Sequence, residues 1–89
     1  MKYQLYDLEP LYDMSSAWMV VNERDEFDIL HKNDLEAGMD IHFEFNGSVS
    51  KFLTYADVRG DCEQATYLNM FDNLEALVLE IKMRSLLEA

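Results

Sequence analysis

The side chains able to do chemistry in this 89-residue chain are two histidines, one cysteine and a large surplus of carboxylates. His31, His42 and Cys62 are too few and too irregularly spaced for a structural zinc site, which takes four ligands in paired spacing. Asn33 to Glu44 has the length of a calcium-binding loop, with Gly38 sixth and Glu44 twelfth. Leu35 and Ala37 stand third and fifth, where side-chain oxygens belong, so that site is rejected. Cys62 lies near an expected helix start, which favours a thiolate, but Asp61 and Glu63 flank it and oppose one. It reads as a small packed residue. Gly38, Gly47 and Gly60 are too far apart to form a phosphate-cradling loop. Paired carboxylates occur by chance in so acidic a chain and do not indicate hydrolysis. The expectation is a protein without catalytic residues, metal or cofactor.

What the chain has in quantity is acid. Eighteen Asp and Glu stand against seven Lys and Arg, for a net charge of −11. Such a charge repels nucleic acid and anionic lipid and attracts basic surfaces. It is also one-sided: eleven acids between Asp7 and Glu44 face only Arg24 and Lys32, whereas from Phe45 onward seven acids face four bases. Glu23 and Asp25, Glu26 and Asp28, and Asp34 and Glu36 stand two residues apart, about 6.6 Å on an extended backbone. Successive phosphates of a nucleic-acid strand have spacing of that order, about 3.4 Å along the axis and more through space. Rows of carboxylates could therefore occupy a groove built for phosphates, since the arginine fork matches both groups. Tyr3, Tyr6 and Tyr12, interleaved with Asp7, Glu9 and Asp13, are amphipathic anchors of the kind interfaces favour. The competing readings are plain solubility for the acids and half-buried packing for the tyrosines.

These side chains need elements to hold them. Asp61 to Ala89 reads as one long amphipathic helix, because Tyr67, Met70, Phe71, Leu74, Leu77, Val78 and Ile81 fall on one stripe at helical spacing. Asp61 with Gln64 resembles a capping box that opens it. Asp72 with Glu75 repeats the pattern, so a break between Asn69 and Asp72 is the alternative. Lys82 and Arg84 are placed to complement the helix C-terminus. Leu79, Met83, Leu86 and Leu87 lie off the first stripe and call for a second neighbour, either the N-terminal segment or a second copy.

Ahead of the helix, Tyr3 and Leu5 alternate with polar neighbours as in an edge strand, interrupted by Pro10 and by Asp13, Ser15 and Ser16. Ala17 to Asn22 and Phe27 to His31 read as a hairpin around Glu23 to Glu26. Asn33 to Asp40, with Asp34, Glu36 and Gly38, reads as a turn or a single helical turn. Asn46-Gly47 is expected to join Ile41–Phe45 to Ser48–Tyr55 in a two-residue hairpin, with Ile41, Phe43, Phe45 and Phe52 on its buried face and His42, Glu44 and Lys51 outside. A bulge at Gly47 would instead bring Val49 and Leu53 inward. The fold class is thus α+β: a single domain over residues 1–89, with a small antiparallel sheet of three to four strands and the long C-terminal amphipathic helix packed on one face.

Met1 to Tyr12 carries Asp7 and Glu9 and lacks an apolar core of signal-peptide length, and no window approaches 18 uninterrupted apolar residues. One cysteine cannot make an internal disulfide, which fits a reducing compartment and makes Asn46-Gly47-Ser48 a turn rather than a glycosylation site. The expected location is the cytoplasm.

In size, in its acidic run, in the segment AWMVVNERDEF from Ala17 to Phe27 and in lacking a catalytic motif, the chain resembles the small phage-encoded anti-CRISPR and anti-restriction nucleic-acid mimics. The resemblance is one of type over the whole chain and transfers no residues. It implies a mechanism, occupation of a basic channel of a CRISPR effector or restriction nuclease in the bacterial cytoplasm, without direct binding to nucleic acid or membrane. The expected contact residues, from the acid pattern, are Glu23, Asp25, Glu26, Asp28, Asp34 and Glu36. The rival expectation is a non-catalytic interaction module or regulatory subunit, homodimeric through Leu79, Met83, Leu86 and Leu87.

Overall fold

In a computed structural model, which describes residues 1–8, 17–32, 35, 40–48 and 65–88, the chain forms a five-stranded antiparallel sheet and one helix. The strands are β1 (Tyr3–Leu8), β2 (Ala17–Asn22), β3 (Glu26–His31), β4 (Asn46–Ser48) and β5 (Ala65–Phe71), in the spatial order β4-β3-β2-β1-β5. The helix, α1, spans Leu74–Glu88.

The expected α+β class is observed, with one strand more than expected, and that strand comes from the stretch read as the start of the helix. Residues 65–71 form β5, paired with β1 from Tyr3↔Phe71 to Leu8↔Ala65. Thr66, Tyr67 and Phe71 suit a strand as well as their spacing suits a helix, and the ladder offered by β1 decides between them. β1 is therefore not an edge strand, as its sequence suggests, but lies between β2 and β5. The helix opens two residues after β5, where the Asn73 side chain accepts a hydrogen bond from the Ala76 N–H at 2.8 Å. The N-cap is thus one residue beyond the expected Asp72. The stripe from Leu74 onward survives: Leu77 and Ile81 are fully buried and Leu74 and Val78 half-buried. No basic residue stands in the last turn; Arg84 instead pairs with Glu80 at 2.9 Å, one turn back.

The Ala17–His31 hairpin is present, in the register Ala17↔His31 to Val21↔Phe27. All six residues of β2 are buried, which places it at the centre of the sheet with both faces covered. On the helix side Leu5, Trp18 and Val20 pack with Leu77 and Ile81; on the other side Leu8, Ala17, Met19 and Val21 form a second cluster. The Lys32 ammonium lies 4.8 Å from the centre of the Trp18 ring and 3.2 Å from an Asp7 carboxylate oxygen, so this acid is locally neutralised.

The Asn46-Gly47 hairpin with residues 41–45 does not form. Residues 41–45 are not a strand, and Asn46–Ser48 pairs with β3 instead, Glu26↔Ser48 and Phe27↔Asn46. Gly47 is the extra residue between those pairs, at φ 71°. Gly47 thus has positive φ, and the bulge that was the alternative to the two-residue hairpin falls there, with β3 rather than a following strand as the partner. Ile41, Phe43 and Phe45 do point inward against the helix-side core, and His42 and Glu44 outward. Phe52, Lys51, Val49, Leu53, the remainder of that hairpin and the Asp61–Gln64 box lie outside the described residues, as does Cys62. No helix among the described residues is long and apolar enough to cross a membrane.

Candidate partner-binding corner

Four of the six expected contact acids come together where β2 turns into β3. The turn is built by Asn22, whose side chain is buried. Its Oδ1 accepts the backbone N–H of Arg24 at 2.9 Å and of Glu26 at 3.1 Å, and its Nδ2 donates to Glu26 Oε1 at 3.0 Å. The Asn22 carbonyl accepts the Asp25 N–H at 3.3 Å. Asparagine suits this position because its short amide mimics a backbone turn. Asp25 sits in the left-handed region at φ 61°, a conformation in which Asp is among the few tolerated residues.

Each carboxylate of the corner is fixed by a bond within the chain. Glu23 Oε1 accepts the Lys2 backbone N–H at 2.7 Å, and Asp25 Oδ2 accepts the Ser48 hydroxyl at 2.7 Å. Glu23, Arg24 and Asp25 are exposed, and Glu26 is half-buried. A carboxylate has about four acceptor positions, so one internal bond orients it and leaves capacity for a donor from outside. Asp28 differs. Its Oδ1 accepts the Ile29 N–H at 2.8 Å within β3 and its Oδ2 the Glu44 N–H at 3.0 Å, so both oxygens carry internal bonds and the second ties the 40–45 segment to β3. Glu26 and Asp28 share the helix-side face on extended backbone, as the two-residue spacing requires, whereas Glu23 and Asp25 lie in the turn. Asp34 and Glu36 lie outside the described residues.

Beside the corner is an open cavity of about 480 Å³, floored by Gln4, Tyr6, Met19 and Val21, with Glu23 and Asp25 at one end and Met70 at its side. The expected dimer residues form a separate feature on the outer face of α1: Leu79, Met83, Leu86 and Leu87 are 60%, 53%, 78% and 84% exposed. Sequence reasoning missed the supports of the corner, Asn22, Ser48 and the Lys2 amide, and two exposed apolar residues on β5, Tyr67 and Met70. The signal for Asn22 was present, since Asn before a charged turn is a turn former. Ser48 and Lys2 are 23 and 21 residues from their partners, beyond any local signal.

Among the described residues no group of three or more His, Cys, Asp and Glu is arranged to hold a metal. No protein-family model matches the chain, and no curated protein and no solved structure matches it.

Proposed function

We propose that the chain is an acidic inhibitor that seats its β2–β3 corner on a basic, nucleic-acid-binding surface of a bacterial defence protein, in the manner of an anti-CRISPR or anti-restriction mimic. The supporting observation is the preset acid at that corner: Glu23, Asp25 and Glu26 are each held by one oxygen within a chain of net charge −11. Carboxylates already oriented lose less entropy on meeting a guanidinium, and the overall charge speeds the encounter. Asp28 contributes to the field and to the shape of the corner rather than by direct contact.

The test is capture from bacterial lysate on the immobilised chain at low and high salt, followed by displacement with DNA or RNA. A nuclease or CRISPR component held at low salt and released by nucleic acid is the expected result. The triple variant Glu23→Gln/Asp25→Asn/Glu26→Gln keeps the internal acceptors and removes three charges. It should weaken the complex about tenfold, from three rim ion pairs at roughly 0.5 kcal/mol each. Affinity indifferent to salt and unchanged in the triple variant would refute the reading. A second reading, an interaction module or regulatory subunit paired through α1, is favoured by the exposure of Leu79, Met83, Leu86 and Leu87. It requires binding that survives high salt and is lost in Leu79→Glu or Met83→Glu.

A further inference from the structure

We propose that β5 pairs edge to edge with β5 of a second copy, about a two-fold axis between Leu68 and Asn69. Among the described residues β5 is the outer strand of the sheet, and Thr66, Tyr67, Asn69 and Met70 are exposed, on both of its faces. Long edge strands are normally guarded by charge or proline. β5 reads ATYLNMF, seven residues without a charge, in a chain of net charge −11. Two such acidic copies repel wherever charge is dense, and this edge is where it is missing. A basic partner, by contrast, finds nothing on it to bind.

The register follows from the bulge. β5 shifts against β1 between Leu5↔Asn69 and Tyr6↔Tyr67, which makes Leu68 the extra residue. Leu68 and Phe71 pack in the helix-side cluster, with Asn69 opposite Leu5 and Thr66 opposite Asp7. Ala65 packs in the other cluster, Tyr67 meets Tyr6 edge-on at 5.6 Å, and Met70 borders the cavity on that side. Antiparallel partners must project to the same face. With the axis between Leu68 and Asn69, Tyr67 meets the second copy's Met70, Thr66 its Phe71, and Leu68 its Asn69, each pair on one face. Tyr67 and Met70, 52% and 44% exposed, then cover each other twice in thioether–aromatic contacts.

The helix layer adds area. One flank of α1, with Leu74, Val78 and Lys82, lies beside Ile41. Helical spacing puts Leu87 on the flank away from Ile41, with the Glu80–Arg84 pair neutralising itself there. A strand of about 23 Å over a helix of about 22 Å, in two layers roughly 20 Å deep, gives a footprint near 460 Å². That is close to the lower bound for a specific interface, about 500 Å² per partner.

The test is sedimentation across concentration and salt. The wild-type chain should associate to twice its 10.5 kDa, and more tightly as salt rises from about 0.01 to 0.15 M, because the Debye length falls from about 30 to 8 Å and screens the repulsion. Tyr67→Glu/Met70→Glu and Tyr67→Lys/Met70→Lys should each be monomeric with unchanged far-ultraviolet circular dichroism, and should form a heterodimer when mixed. Hydrogen exchange on the wild type gives an independent reading: β5 amides should lose protection on dilution while those of β2 keep it. A wild-type chain monomeric throughout, or a Tyr67→Glu/Met70→Glu variant that still dimerises, overturns the proposal. Because the partner-binding corner weakens with salt, failure of one reading is distinct from failure of the other.

Discussion

Replacing Asn22 with alanine should destabilise the chain by about 3 kcal/mol, taking roughly 1 kcal/mol for each of the two lost backbone bonds and somewhat more for the charged one. Those bonds are the Arg24 and Glu26 amides at 2.9 and 3.1 Å and the Glu26 carboxylate at 3.0 Å. The Arg24 amide lies in the exposed turn and regains water, whereas the Glu26 amide is half-buried and recovers less. For a chain of this size the loss is a large part of a total stability of about 4–13 kcal/mol. It corresponds to a fall in Tm of roughly 12–24 °C. Asn22→Asp keeps the acceptor for both amides but loses the donor and sets a carboxylate against Glu26. Its cost should be intermediate, about 1–2 kcal/mol. The assay is urea unfolding followed by Trp18, the only tryptophan and fully buried in the helix-side core, so its emission reports global unfolding. An Asn22→Ala variant within about 0.5 kcal/mol of wild type, the range of a neutral surface change, would mean that the turn does not depend on this side chain and that the acids of the corner are not preset by it.

Gly47→Ala should cost about 1–2 kcal/mol, the penalty of placing an L-residue in the left-handed region, since Gly47 stands at φ 71°. The added Cβ meets the Phe27 ring at 3.4 Å, an ordinary contact, so backbone strain is the cause and Gly47→Asn should recover part of the loss in the urea midpoint. Asn73→Ala should cost about 1 kcal/mol by removing the N-cap of α1, while Asn73→Asp and Asn73→Ser should be nearly neutral, as read by thermal melts at 222 nm.

The parts of the fold legible in the sequence are those decided locally. β2 and β3 announce themselves by Trp18, Val20, Val21, Phe27 and Ile29 on either side of a short polar turn. The buried stripe of α1 is legible from Leu74 onward, because nothing there competes with the helical period. Tyr67, Met70 and Phe71 fit a helix and a strand equally, and the choice rests on a ladder with β1 some sixty residues away, which no local pattern contains. Asn46-Gly47 signals a positive φ, and Gly47 adopts it, but the strand that it pairs with is β3. The acids of the corner were legible as residues and not as geometry: Asp28 looks like any surface carboxylate until Glu44 is brought to it, and Ser48 until Asp25 is.

Among the described residues, the turns and edges of the sheet differ in the charge that they present to other molecules. The corner at the β2–β3 turn carries Glu23, Asp25 and Glu26, whereas β5, two strands from β2, carries no charge. At about 4.8 Å per strand, a dimer joined at β5 would set its two acidic corners roughly 30 Å apart across the sheet. That exceeds the Debye length of about 8 Å at physiological salt several-fold, so the corners would neither repel each other appreciably nor weaken each other's field at a basic target. If the corner is the binding surface proposed above, self-association would then cost nothing there. It would make that surface bivalent, and once one corner is seated the other would meet its target at an effective concentration set by a rigid sheet rather than by diffusion.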